Sequence, residues 1–203
     1  MKYISIGCQC SVKYQIDKHK GITETLFFDW LMTSMNSVIK ILSCDNINDI
    51  LYFDNIIKDI NIPYHGNNTR IVIKSLDFCV SLHDLPKNYT NDDIINFINK
   101  YKRRFNRIIE IIKSNEKIYF IRDDESDFDD NIRNKFIETI LKINPNCNFT
   151  IVVINNNKTN DNGIFKYKNC LYFKLNINPT ISIDWTKTYL NWEKIFLDIE
   201  KNT

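Results

Sequence analysis

Apolar and polar positions along the chain fall into short strand-like runs separated by longer helical ones. Tyr3 to Ile6 is an apolar, β-prone run that stops at Gly7, and Ser11 to about His19 follows with helical character. The aromatic segment Thr23 to Leu31 holds one carboxylate, Asp29, among rings; such a group needs donors or takes a raised pKa. Ser37 to Leu42 and Ile47 to Phe53 predict two further helices, and Ile62 to Asn68 is rich in turn residues. Arg70 to Lys74 and Phe78 to His83 are β-like runs joined by a short connection, which predicts a hairpin whose second strand ends in His83-Asp84.

The clearest helix begins at Thr90-Asn91-Asp92-Asp93, a capping side chain followed by acids in the first turn. Its apolar stripe runs through Ile94, Ile98, Tyr101, Phe105, Ile108 and Ile112. Ile118 to Ile121 is a strand that ends in Arg122, the acidic run Asp123 to Asp130 is a loop, and a helix runs from about Asn131 to Leu141. Phe149 to Ile154 is apolar and β-branched throughout, as in a strand buried on both faces. A polar loop over 155–163, two short strands (Ile164 to Tyr167 and Leu171 to Leu175) and a closing helix over Tyr189 to Glu200 complete the pattern. Strands alternating with helices predict an α/β three-layer sandwich with a mainly parallel sheet and an inserted β-hairpin, in Rossmann-like or SGNH-hydrolase-like order. At 203 residues, one domain over 1–203 is expected.

Composition narrows the function classes. The 27 basic and 25 acidic residues leave a net charge of +2, so no global field points to nucleic acid or an anionic membrane. No apolar run reaches the ~18 residues of a membrane span, and the start Met1-Lys2-Tyr3-Ile4 lacks the features of a signal peptide. A cytoplasmic setting is expected, in a host's cytosol if the chain is viral, with its six cysteines as thiols. Cys8-x-Cys10 is too close for a good zinc pair and no second pair stands at zinc spacing, so neither a metal nor a cofactor is expected.

Sites in open α/β sheets lie at the carboxyl ends of strands. Gly7 to Cys10, His83-Asp84 and Arg122-Asp123 all follow predicted strands and are expected on one edge. Cys10 falls near the first turn of a helix, where unpaired N–H groups and the dipole favour a thiolate. The same pattern describes an inert cysteine behind a core strand. Cys8 and Cys79 read as small core residues, His19 and His65 as surface groups, and Phe28 and Trp30 as core. Arg104 borders the apolar stripe of its helix while Arg107 projects further round, a placement that asks for a carboxylate or a bound anion. Asp29 is the first internal candidate.

Taken in order, Gly7-x-x-Cys10, Phe28-Asp29-Trp30, His83-Asp84, Tyr101-x-x-Arg104-x-x-Arg107 and Phe120-Ile121-Arg122 resemble a family of uncharacterised domains labelled papain-like cysteine peptidases, found in bacteria and large DNA viruses. The resemblance runs to about Arg122, with an echo at Asp184-Trp185 and Trp192. It implies Cys10 as nucleophile and His83 as base on a peptide or small-molecule substrate, with Asp84 or Asp29 orienting the imidazole. Gln9, Trp30, Arg104, Arg107 and Arg122 are the matching substrate-side candidates. Gln9 directly precedes Cys10, whereas papain-like enzymes place their oxyanion glutamine several residues earlier. The alternating pattern also departs from the usual papain architecture, a helical half against an antiparallel barrel. Two other functions stay open: an α/β domain that binds an anionic or nucleotide-like ligand through Arg104, Arg107 and Arg122, and an inactive host-interaction module. No glycine-rich phosphate loop supports the first of these.

Overall fold

The computed structural model describes residues 1–124, 129–155, 163–167, 170–176, 185–186 and 190–202. In chain order it begins with β1 (Lys2–Ser5), α1 (Ser11–Lys20), β2 (Leu31–Thr33) and α2 (Met35–Leu42). Four strands follow, β3 (Ile56–Lys58), β4 (Tyr64–His65), β5 (Asn68–Ile73) and β6 (Cys79–Pro86), then α3 (Asn91–Lys113). The second half comprises β7 (Ile118–Asp124), α4 (Asp130–Ile143), β8 (Phe149–Asn155), β9 (Gly163–Tyr167), β10 (Cys170–Asn176) and α5 (Trp192–Asn202). Residues 47–53, expected as a helix, supply only the single 3-10 turn Ile47–Asp49, and a second turn spans Phe53–Asn55. The acidic stretch 125–128, the polar stretch 156–162 and Asp184 lie outside the described residues.

The class is the α/β one that the pattern predicts. One sheet has the order β1-β7-β8-β10-β9, parallel except for the edge strand β9. Its side chains alternate between two cores, as period-two geometry requires. Ile4, Ile6, Ile118, Phe120, Ile151 and Val153 face α2, α3 and α4. Tyr3, Tyr119, Ile121, Val152 and Ile154 face α1 and α5. The parallel strands step across the sheet in chain order, without the reversal that marks a Rossmann-like order.

The expected hairpin is the centre of a second sheet, antiparallel, in the order β2-β6-β5-β3, with β4 also on β5. All of it is inserted between α1 and α3. Helix α3 carries this insertion back to the parallel sheet. A capping box starts it: Asp93 N–H donates to Thr90 Oγ1 (3.3 Å) and Thr90 N–H to Asp93 Oδ2 (2.8 Å).

The two sheets meet where β1 and β2 end. Gly7 has φ +78°, and a Cβ there would lie 1.7 Å from Thr33 Oγ1, so only glycine fits. Arg122, 3% exposed, donates across the seam to the carbonyls of Ile6 (2.8 Å) and Thr33 (2.9 Å). The next residue of β7, Asp123, points the other way and accepts from Ser11 Oγ (3.0 Å), the first residue of α1. Arg122→Met should therefore lower stability in urea unfolding by roughly 3 kcal/mol or more, because two bonds from a charged donor are lost in the interior. Arg122→Lys should recover little, since an ammonium lacks the planar fork that spans two carbonyls. A loss under about 1 kcal/mol would contradict this role for the clamp.

Candidate functional site

The end of β1 delivers Cys10. After Gly7 the chain holds Cys8 at φ +73°, then Gln9, and Cys10 occupies the N-cap of α1. No side chain caps that helix, and Cys10 and Gln9 are both half-buried. A left-handed Cys8 is strained, and Trp30 at φ +65° is a second such residue close by in the fold. Two strained non-glycine residues flank the cysteine and Asp29.

Asp29 sits in the tight turn that leads into β2. Its Oδ2 accepts from Leu26 N–H (2.8 Å) and lies 3.6 Å from Lys13 Nζ, while Oδ1 is buried and makes no hydrogen bond. Lys13 belongs to α1 and is almost fully buried; its ammonium also reaches the carbonyls of Ile22 and Glu24 and the carboxylate of Asp17. The ion-pair partner of Asp29 is therefore Lys13, where Arg104 was the expected one. Arg104 acts on Asp29 only as a further charge and lies over the Tyr101 ring, 4.9 Å from its centre. Burial pushes the Asp29 carboxyl up to about 7, against the pull of Lys13, the Leu26 N–H and Arg104.

The third contribution comes from β6. Between the pairs Ile71–Ser81 and Thr69–Leu85, β6 advances four residues while β5 advances two. The bulge leaves His83 and Asp84 without direct partners on β5, and as adjacent strand residues they project to different sides. Asp84 turns inward and accepts from Tyr101 OH (2.7 Å), Ser81 Oγ and Lys100 Nζ. Burial raises its pKa, but the donors, Lys100 first, outweigh it and hold the carboxylate below its usual range. His83 is exposed, and its ring meets that of His65 edge to face at 5.3 Å. Burial and then the charge of His65 lower the His83 pKa, against a smaller pull from Asp84.

Cys10 feels both carboxylates. Burial, then Asp84, then Asp29 push its thiol up to about 11. The helix N-terminus was expected to lower that pKa; removal from water and two negative neighbours override it. Asp84 and Asp29 thus both act on Cys10, whereas His83, exposed on the other side of β6 from Asp84, is not among the groups that shift the thiol.

The three arginines are not gathered in this way. Arg122 clamps the seam, and Arg104 stacks on Tyr101. Arg107 is exposed, donates to the Thr25 carbonyl (3.2 Å) and lies 3.5 Å from Glu24. A cavity of about 460 Å³ on the antiparallel sheet, between Ile57, Arg70, Val72 and Phe78, contains none of the Cys10 group. Lys13, Ser81 and Lys100 were not legible as site neighbours, because lysines in helices and a serine in a strand read as exposed. No helix of the described residues is long and apolar enough to cross a membrane.

Comparison with known proteins matches the part of the chain that holds this group. Residues 1–159 match the model of a family described as "Putative papain-like cysteine peptidase". An uncharacterized protein of Acanthamoeba polyphaga mimivirus is 25% identical over 230 residues, covering 97% of each chain. No solved structure matches the chain.

The Asp29 pKa carries a stability consequence. Between about pH 4, the range of an unfolded aspartate, and about 7, the folded protein keeps a proton that the unfolded chain releases. That contribution is full below the unfolded pKa and is lost as pH rises through 7. Urea unfolding of wild type and Asp29→Asn at pH 5 and pH 8 should show the balance moving against wild type at the higher pH by a few kcal/mol. A constant difference would mean that the Lys13 pair, not burial, controls this carboxyl.

Proposed function

We propose that this chain, which belongs to the "Putative papain-like cysteine peptidase" family, is a cysteine hydrolase acting on amide or ester carbonyls of peptide substrates, with Cys10 as nucleophile and His83 as base. The observation that carries this reading is the convergence on Cys10 of Asp29 and Asp84, brought by segments remote in sequence to the start of α1.

The resting thiol is protonated and the imidazole, held below its ordinary pKa, is a neutral base. Attack therefore requires proton transfer as the bond forms. His83 takes the thiol proton, Cys10 Sγ bonds to the substrate carbonyl carbon, and the carbonyl oxygen gains the negative charge. Backbone N–H groups of the uncapped first turn of α1 are the donors suited to that oxyanion. Collapse expels the amine or alcohol, which takes the proton from His83, and leaves a thioester on Cys10. Water, deprotonated by His83, then attacks the thioester, releases the acid and restores the thiol. Asp84, anchored by Lys100 and Tyr101, favours the imidazolium through its charge. A free nucleophilic thiol calls for a reducing compartment, which fits the cytoplasm.

A peptidyl electrophile such as a vinyl sulfone should label Cys10 in preference to Cys44, Cys79 or Cys147, with the site mapped by mass spectrometry. His83→Ala should slow that labelling by roughly 10²–10⁴-fold with little change in thermal stability, because the side chain is exposed. Iodoacetamide, which carries no peptide, should react ever faster as pH rises past 9, following the thiol near 11. Equal labelling of wild type and His83→Ala, or a Cys10 rate that levels off near neutral pH, would remove the support for this mechanism.

A further inference from the structure

We infer that His65 is a positioning residue for His83: delivered by the short strand β4, its ring meets the His83 ring edge to face and fixes where that imidazole points. The inference rests on His83 serving as the base.

The need for such a group follows from the bulge. A side chain in a regular ladder is held by neighbours on the adjacent strand, two residues either way. Four residues of β6 pass against two of β5 at His83, so that support is missing on the β5 side. Strand β4 supplies it from the next position in the sheet. His65 pairs with Asn68 of β5, whose other partner is Pro86 of β6, and its ring reaches back to His83 with centroids 5.3 Å apart and planes at 78°. Edge-to-face geometry is the favoured arrangement for such rings.

The contact also bears on the charge state. His83 is faced by His65 from β4 and by Asp84 within its own strand. Next to His65, Tyr64 accepts from Lys58 of β3 at its OH (2.7 Å) and lies under Lys87, while Arg70 of β5 is paired with Asp59 (3.0 Å); none of these is among the groups that shift His83. Two imidazoles in contact resist carrying two positive charges, so His65 adds to burial in favouring the proton-accepting form of His83.

Proton NMR titration tests this directly, since the chain has only three histidines. In wild type the His83 ring should titrate below the usual ~6.5. In His65→Ala its midpoint should rise, and peptidyl-electrophile labelling of Cys10 should acquire an acid limb displaced upward by the same amount. His65→Phe should restore the ring contact, and with it the labelling rate on the plateau, while the midpoint stays raised. A His83 midpoint that ignores both substitutions overturns the inference. If instead the midpoint moves as expected while His83→Ala leaves Cys10 labelling unchanged, the ring coupling stands and the assignment of His83 as base fails.

Discussion

Everything at the candidate site depends on one buried guanidinium. Arg122 joins the first carbonyl beyond β1 to the last carbonyl of β2, and so locks a mainly parallel sheet to an antiparallel one at their seam. Its neighbour Asp123 fixes the first turn of α1 through Ser11. Alternation along one strand thus positions both the insertion and the helix that begins at Cys10. Gly7 is required because Thr33 leaves no room for a Cβ. With both ends tied, the left-handed Cys8 and Trp30 are held despite their local cost of about 1–3 kcal/mol each.

The same burial that fixes Cys10 determines its resting state. A helix N-terminus favours an anion by about 0.3–1 kcal/mol at ordinary sites. Raising the thiol from 9.0 to about 11 corresponds to about 3 kcal/mol in the other direction, so desolvation and the two carboxylates win. The consequence is a nucleophile kept neutral until a base removes its proton. That distinguishes this arrangement from a preformed thiolate–imidazolium pair, and it places the burden of activation on His83 and whatever orients it.

Much of the frame is legible in the sequence because period and capping are local. The stripe from Ile94 to Ile112, the Thr90–Asp93 box and the doubly buried run Phe149 to Ile154 each carry their own signal. The second sheet is legible only at its hairpin. Strands β2 and β3 have three residues each, too few to show alternation, and β4 has two. The bulge at His83 depends on pairing with β5, which no local pattern encodes. Asp29 is recognisable as a carboxylate in need of a partner, yet the partner comes from Lys13 on α1, a residue whose type predicts exposure. His65 reads as a surface group and is exposed, but the two-residue strand that brings its ring to His83 is too short to leave a pattern. Arg122 was placed at the end of its strand, but the two carbonyls it clamps become neighbours only when the sheets meet.

Intact-protein mass spectrometry after mixing with an activated peptide ester tests Cys10 as the nucleophile most directly. A hydrolase of this kind should gain the mass of the peptide acyl group within the first turnovers, on the fragment that contains Cys10. That mass should disappear as water releases the peptide acid, and Cys10→Ala should abolish the adduct while the protein stays folded. Acylation confined to lysines, or persisting unchanged in Cys10→Ala, would contradict catalysis by this cysteine.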